Sequence, residues 1–296
     1  MRPRDFLLAV AAACLWGGGG VLGVVFGRHE GLEPVGIATW RMGLAGVSLL
    51  LALAVLGRLH PQRWTRAMWV RMLITGALTA LFEYTFFTAV TMASVGLATL
   101  IGIGSAPVVV AVYDALTTRS RPPGRHLAAL VMSLAGLGLL VGGSVGQGSA
   151  MVLGALIALA AGASFAAITI VNRRPIPGLG AIALTGGTFT AGAIMLLPFA
   201  LLAGTGMPHD AEGWAIAIAL GVGITAIAYV FFLASLATVP PFVATIVTLL
   251  EPLIGAILGA IVFGERLGIA GVVGGAILGA AVLLLRPERD EPETIH

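Results

Sequence analysis

Two acidic residues and one basic residue stand where an apolar chain normally carries none. Glu251 lies in Thr245-Ile-Val-Thr248-Leu-Leu-Glu251-Pro252, inside an apolar run from about Pro240 to Phe263, long enough to cross a bilayer as a helix. Glu83 holds a similar depth in the run 70–91, and Arg41 lies inside the run 34–57. An ionised group at the centre of a spanning helix costs on the order of 2.5–3.5 kcal/mol even on lenient insertion scales. Such residues face a polar interior shared with other helices and by default mark a binding or ion-handling site. A carboxylate at that depth holds an amine or organic cation, takes up a proton, or pairs with an arginine. For Glu83 and Glu251 the bland alternative is a locked structural group, bonded for Glu83 to Arg41 or to a freed backbone carbonyl. For Arg41 the favoured reading is a guanidinium that snorkels to the interface. Otherwise it meets a substrate carboxylate or Glu83.

The neighbours of these charges extend the polar stripe. Thr245 and Thr248 precede Glu251 by six and three residues, which puts them on nearly the same helical face. Pro252 removes an amide donor and frees the carbonyl four residues back. Ala106-Pro107 occupies a matching place earlier in the chain, so Pro107 and Pro252 are expected as paired kinks and hinges. Trp16, Tyr84 and Tyr229 lie away from the interfacial belts where such residues collect, and their polar atoms need partners that a wet cavity offers. Phe86, Phe87, Phe231 and Phe232 are expected to pack or to face lipid. Phe87 is also carried as a candidate substrate contact. Asp114, near one end of its run, is expected to be solvated at the interface.

Other chemistries find little support. His29, His60, His126, His209 and His296 all fall in joints or in the tail, so Ser105 of Gly102-Ile-Gly104-Ser105 has no buried histidine to activate it. No Cys/His cluster with metal-ligand spacing is present, and neither an enzyme, a metal site nor a cofactor is expected. Gly17 to Gly20 lacks the Lys-Ser/Thr of a phosphate loop and is expected to serve close helix packing. The single Cys14 allows no disulfide framework. A channel would need ring-forming polar repeats, which are absent.

The elements that must position these residues are legible from composition. Of 296 residues 58% are hydrophobic and 10% charged, against about 25% charge in soluble domains, and mean hydropathy is +1.05. The 42 glycines suit close helix contact in a bilayer. Ten apolar segments run approximately 6–26, 34–57, 70–91, 95–117, 126–143, 150–172, 180–203, 213–236, 240–263 and 268–285. The first could pass for a signal peptide, but it has full spanning length and is read as an uncleaved helix. All 16 basic residues are arginines. Arg2, Arg4, Arg58, Arg63, Arg66, Arg71, Arg119, Arg121, Arg125, Arg173, Arg174, Arg286 and Arg289 share one side if there are ten crossings. That bias predicts cytoplasmic termini and reflects topology, not nucleic-acid binding. Residues 286–296 are polar and expected to be disordered.

Tyr84-Thr-Phe-Phe87-Thr-Ala89 recurs as Tyr229-Val-Phe-Phe232-Leu-Ala234, 145 residues on, and the same shift carries Ala106-Pro107 onto Glu251-Pro252. Two five-helix halves, 1–145 and 146–285, therefore repeat. Five is odd, so the second half enters the membrane in the opposite sense, a transporter design with its site at the interface of the halves. The expected fold is an all-α membrane protein of ten transmembrane helices, as two inverted repeats around a central cavity.

Tyr-x-Phe-Phe-x-Ala, then Thr-x-x-x-Glu-Pro-Leu and Gly264-Glu265-Arg266-Leu267, together with Leu15-Trp16-Gly17 and Trp40-Arg41-Met42, resemble the EamA family of the drug/metabolite transporter superfamily. The likeness spans nearly the whole chain. It implies a ten-helix carrier of metabolites, amino acids or drugs, often acting outward. The position matching Trp16 in the second half is Phe165, which makes the aromatic wall asymmetric. The expected protein is a monomeric secondary carrier in the bacterial inner membrane, in contact with lipid and a small-molecule substrate. Amino-acid-like metabolites are the first expectation, with proton-coupled efflux of cationic drugs or facilitated diffusion as alternatives.

Overall fold

The computed structural model describes residues 1–93, 95–118, 122–141, 149–263 and 268–287. The expected split near Gly146, the Gly264–Leu267 motif and the tail beyond 287 lie outside them. The helices are α1 (Pro3–Glu30), α2 (Pro34–Val55), α3 (Arg66–Met92), α4 (Val95–Thr118), α5 (Gly124–Val141), α6 (Ser149–Asn172), α7 (Ala181–Leu202), α8 (Ala211–Ile218), α9 (Ile227–Ser235), α10 (Pro241–Val247), α11 (Leu250–Phe263) and α12 (Ile269–Leu284). A π-helical segment, Ala219–Ala226, joins α8 to α9, so the three form one eighth span. The pair α10 and α11 forms the ninth. Among the described residues nine stretches are long and apolar enough to cross a membrane, and Ile269–Leu284 is a shorter apolar helix that completes the expected ten.

Helix ends are set by local chemistry more than by where hydropathy stops. Pro3, Pro34 and Pro241 open their helices near the first position, where a missing N–H costs nothing. The Thr65 side chain accepts from the Met68 N–H at the start of α3, and Asp210 accepts from Gly213 N–H at the start of α8. Gly31, in the left-handed region at φ 65°, closes α1. α1 and α3 accordingly run beyond the apolar limits 6–26 and 70–91.

The packing repeats as the sequence does. Matching span n with span n+5, α2 packs on α7 and α5 on α12, each pair mapping onto itself. The contact of α3 with α6 maps onto span 8 with α1, α4 with α6 onto span 9 with α1, and α3 with α7 onto span 8 with α2. Each contact and its image coexist, as two inverted five-helix repeats require. Small residues allow the approaches. A Cβ on Gly17 would stand 2.5 Å from Ile254 Cβ, and one on Gly162, 145 residues later, would collide with Ser105 Oγ and the Gly102 carbonyl oxygen; the same shift puts Ala161, not Phe165, at the place of Trp16. Gly136 and Gly274 meet face to face between α5 and α12.

Candidate functional site

The buried polar ridge of α3 is Thr75, Thr79 and Glu83, spaced four residues apart on one face. Thr79 spends its hydroxyl on the carbonyl one turn back, and Thr75 pairs with Asn172 of α6. Glu83 is met from α2. Arg41 Nη1 donates to Glu83 Oε2 at 3.1 Å, and Arg41 Nε donates to Thr225 Oγ1 at 2.8 Å. Thr225 in turn donates to the Leu220 carbonyl at 2.7 Å, five residues back within the π segment. Arg41 therefore does not snorkel. It is buried, because a carboxylate and a hydroxyl in the interior offer a planar guanidinium two directed acceptors.

Span 9 breaks where Pro252 predicts disruption. α10 ends at Val247 and α11 begins at Leu250, so the chain turns at Thr248 and Leu249. Glu251, in the first turn of α11, faces a cavity together with Thr248, Arg41, Glu83 and Tyr229. The Arg41 charge acts on both carboxylates. Among the described residues the Glu251 carboxylate has no hydrogen bond or ion pair, in contrast to Glu83. Gly17 of α1 lets the helix close on the Glu251 backbone.

The remaining wall is Trp16, Phe165, Phe82, Phe86 and Ile103. Trp16 meets Tyr229 at 4.8 Å and Phe165 at 6.0 Å between ring centroids, both edge to face, and Phe82 meets Phe165 at 5.4 Å. The cavity measures about 20 Å³, room for roughly one water. Trp16 Nε1 and Glu83 Oε1 are buried without a well-formed hydrogen bond, the Tyr229 hydroxyl lying beside the Glu83 carboxylate. Both are polar atoms that a guest in the cavity would satisfy.

Of the residues singled out in the sequence, Trp16, Arg41, Glu83, Tyr229, Thr248 and Glu251 come together here. Thr245 does not line the cavity; it is buried and bonded to the carbonyls of Pro241 and Phe242. Phe87 is buried against Phe86 and the Gly23 region of α1. Tyr84 is 44% exposed on the outer face of α3. The repeat alignment misled there. Leu81 and Tyr84 correspond to Ala226 and Tyr229, yet both of those are buried and the exposed position in span 8 is Ile227, one residue later. An i→i+5 turn takes in one more residue than an α-turn and rotates the helix beyond it, so the π segment moves Tyr229 inward while its counterpart in uninterrupted α3 looks outward. Pro107 likewise sits inside a continuous α4, unlike Pro252. Thr225, Phe82 and Ile103 carry no expectation from the sequence, and Phe86, expected to pack or to face lipid, packs on Phe82 and also lines the cavity. Phe82 and Phe86 flank Glu83 one turn apart, a signal that was readable once Glu83 was placed inward. Nothing in the sequence announces the π segment that presents Thr225.

Both ends of the bundle are tied around this cavity. At the arginine-rich end Arg173 pairs with Asp114 at 3.2 Å, so Asp114 is not simply solvated, and Arg71 donates to the Arg174 carbonyl. Thr238 donates to Asp5, and the Arg2 N–H donates to Thr238. At the opposite end the His209 N–H donates to Glu30 Oε2 and the His209 ring bonds the same oxygen. His29 bonds Asp210 at 3.1 Å, and Trp40 donates to the Gly206 carbonyl. The Gly213 N–H and the adjacent His29 hold the Asp210 carboxyl below its usual range.

The comparisons with known proteins agree with this architecture. The family model described as the EamA-like transporter family matches residues 5–142 and again 152–286. The chain is 29% identical over 287 residues to the uncharacterized transporter YwfM of Bacillus subtilis (strain 168), covering 96% of this chain and 95% of that one. It is 26% identical over 294 residues to an uncharacterized transporter of Archaeoglobus fulgidus, covering 96% and 98%. A crystal structure with 19% identity superposes with a TM-score of 0.77 over 96% of this chain and 98% of that one, a likeness of fold.

Proposed function

The chain belongs to the EamA-like transporter family, and we propose that it is a secondary carrier exporting small metabolites such as amino acids by alternating access between its two repeats. The observation that carries this reading is a cavity at the meeting of the halves, where Arg41 stands between the influence of two carboxylates and two buried polar atoms lack a well-formed hydrogen bond. A zwitterion suits that set. The closed cavity holds about one water, so a zwitterion enters only as the halves part; its carboxylate then competes for Arg41, its ammonium for Glu251, and an apolar side chain rests on Trp16 and Phe165. Ties at both ends support an occluded arrangement, from which opening either end exposes the same site. The arginine bias supports cytoplasmic termini in a bacterial inner membrane, and the carrier is taken to act as a monomer. Energy comes from the substrate's own gradient or from a coupled ion.

A cationic drug is the second reading, because two carboxylates outnumber one arginine and aromatic faces attract organic cations. Counterflow in proteoliposomes separates the two. Exchange of labelled amino acids, with cationic dyes excluded, is the expected result. Exchange of dyes alone overturns the amino-acid reading in favour of the second. Initial rates that ignore an imposed pH gradient mark facilitated diffusion in place of proton coupling.

A further inference from the structure

The end of the bundle opposite most of the arginines, where Arg28 also closes α1, gathers two pairs of residues that lie far apart in the chain. His29 and Glu30 form the last turn of α1, while His209 and Asp210 precede α8. We propose that this cluster is a binding site for a divalent transition-metal ion of the zinc type, with His29 Nε2, Glu30 Oε1 and Asp210 Oδ1 as ligands and solvent at an open position.

The three ligand atoms all lie within 4.8 Å of one another. His29 Nε2 is 3.1 Å from Asp210 Oδ1 and 3.7 Å from Glu30 Oε1. Four ligands around zinc at bonds of about 2.0–2.2 Å sit roughly 3.3–3.6 Å from one another, so two of the three edges already approach that spacing. Proximity alone would describe an ordinary polar latch. The second observation is Glu30 itself. Its side chain is 1% exposed, yet Oε1 has no hydrogen bond among the described residues, His29 Nε2 standing beyond bonding distance at 3.7 Å. A buried carboxylate oxygen left without a donor is costly, and a cation beside His29 supplies what it lacks.

The surroundings hold that oxygen in place. Glu30 Oε2 is fixed by the backbone N–H and ring of His209, an outer contact of the kind that orients metal-binding carboxylates. At Gly213 a Cβ would collide with Glu30 Oε1, so glycine leaves the carboxylate its position. The Asp210 side chain is 55% exposed and that of His29 28%, which opens the cluster to solution. One imidazole with two carboxylates favours zinc-type ions, since calcium and magnesium prefer all-oxygen shells of six or more. The expectation of no metal site rested on spacing along the chain, which cannot see residues 181 positions apart.

Tag-free, full-length protein in detergent is titrated with Co²⁺ and its visible absorption followed. One saturating Co²⁺ per chain, displaced by Zn²⁺ and accompanied by a rise in Tm, is expected. His29→Ala, at a partly exposed position that leaves the fold intact, weakens binding at least about tenfold, and Glu30→Gln does the same. His60→Ala, outside the cluster, binds as wild type. Absence of saturable binding overturns the site. So does His29→Ala binding with unchanged affinity, or displacement by Mg²⁺ as readily as by Zn²⁺. These readouts do not depend on which solute is carried.

Discussion

At the cavity the first half contributes Arg41 and Glu83, already bonded to each other, whereas the second contributes Glu251, which has no bonded partner among the described residues, and Tyr229. The backbones differ in the same sense. α3 and α4 run uninterrupted through Glu83 and Pro107, while span 8 contains a π segment and span 9 breaks before Pro252. Packing nevertheless obeys the n to n+5 correspondence, down to Gly17 and Gly162. Duplication thus supplies a symmetric scaffold, and local departures from regular helix concentrate the adaptable chemistry in the second half. The first half carries a bonded ion pair, and the second carries the irregular helices and the carboxylate without a bonded partner among the described residues.

The sharpest way to break this contrast is to unlock the pair. Arg41→Met leaves Glu83 buried without its countercharge, and loss of one partner of a buried pair costs about 3–5 kcal/mol. A large fall in Tm in detergent is expected. The double variant Arg41→Met/Glu83→Met removes both charges and regains most of that stability without regaining counterflow. Normal stability in the single variant would remove the lock. Normal counterflow in the double variant would remove the pair from the site.

Glu251→Gln tests the other side of the contrast. The residue has no ion pair to lose, so Tm stays near wild type, while a charge-assisted contact to the solute, worth about 1.5–3 kcal/mol, disappears. Counterflow should fall roughly 10- to 100-fold. Wild-type rates would make the open carboxylate a bystander. Gly17→Ala and Gly162→Ala come next. Both overpack a close helix contact at a cost of about 1–3 kcal/mol, but only the residue-17 change presses on the Glu251 backbone. At matched loss of Tm, Gly17→Ala should lower counterflow further than Gly162→Ala. Equal losses would erase the functional asymmetry between the halves.

The scaffold was legible in the sequence because burial in lipid enforces it. Apolar runs and the arginine alternation are imposed by the membrane, and the 145-residue repeat is visible as matching letters. The ionisable residues that converge on the cavity were equally visible, since charge inside a span announces itself. Which way a residue points was harder to read. Arg41 reads first as a snorkelling side chain and second as a partner of Glu83; the second holds, and no sequence feature shows Thr225 converging on it as well. The His29, Glu30 and Asp210 cluster depends on how two helix ends meet, and periodicity carries no information about that.

The two tyrosines of the repeated motif give the finest test. By alignment Tyr84 and Tyr229 are the same residue, and a strictly symmetric carrier would need both or neither. In the structure Tyr84 is 44% exposed and Tyr229 2%. Tyr229 packs edge to face on Trp16 and Phe189, and its hydroxyl feels both Glu83 and Glu251. Tyr84→Phe removes a hydroxyl from the outer surface and should change neither Tm nor counterflow. Tyr229→Phe keeps the ring packing but deletes a buried hydroxyl beside the carboxylates, a loss of about 0.5–1.5 kcal/mol, read as a two- to tenfold drop in counterflow. Equal effects at the two positions would mean that the π segment does not reset the register of span 8 in the working protein, and the inward face would then follow the sequence repeat.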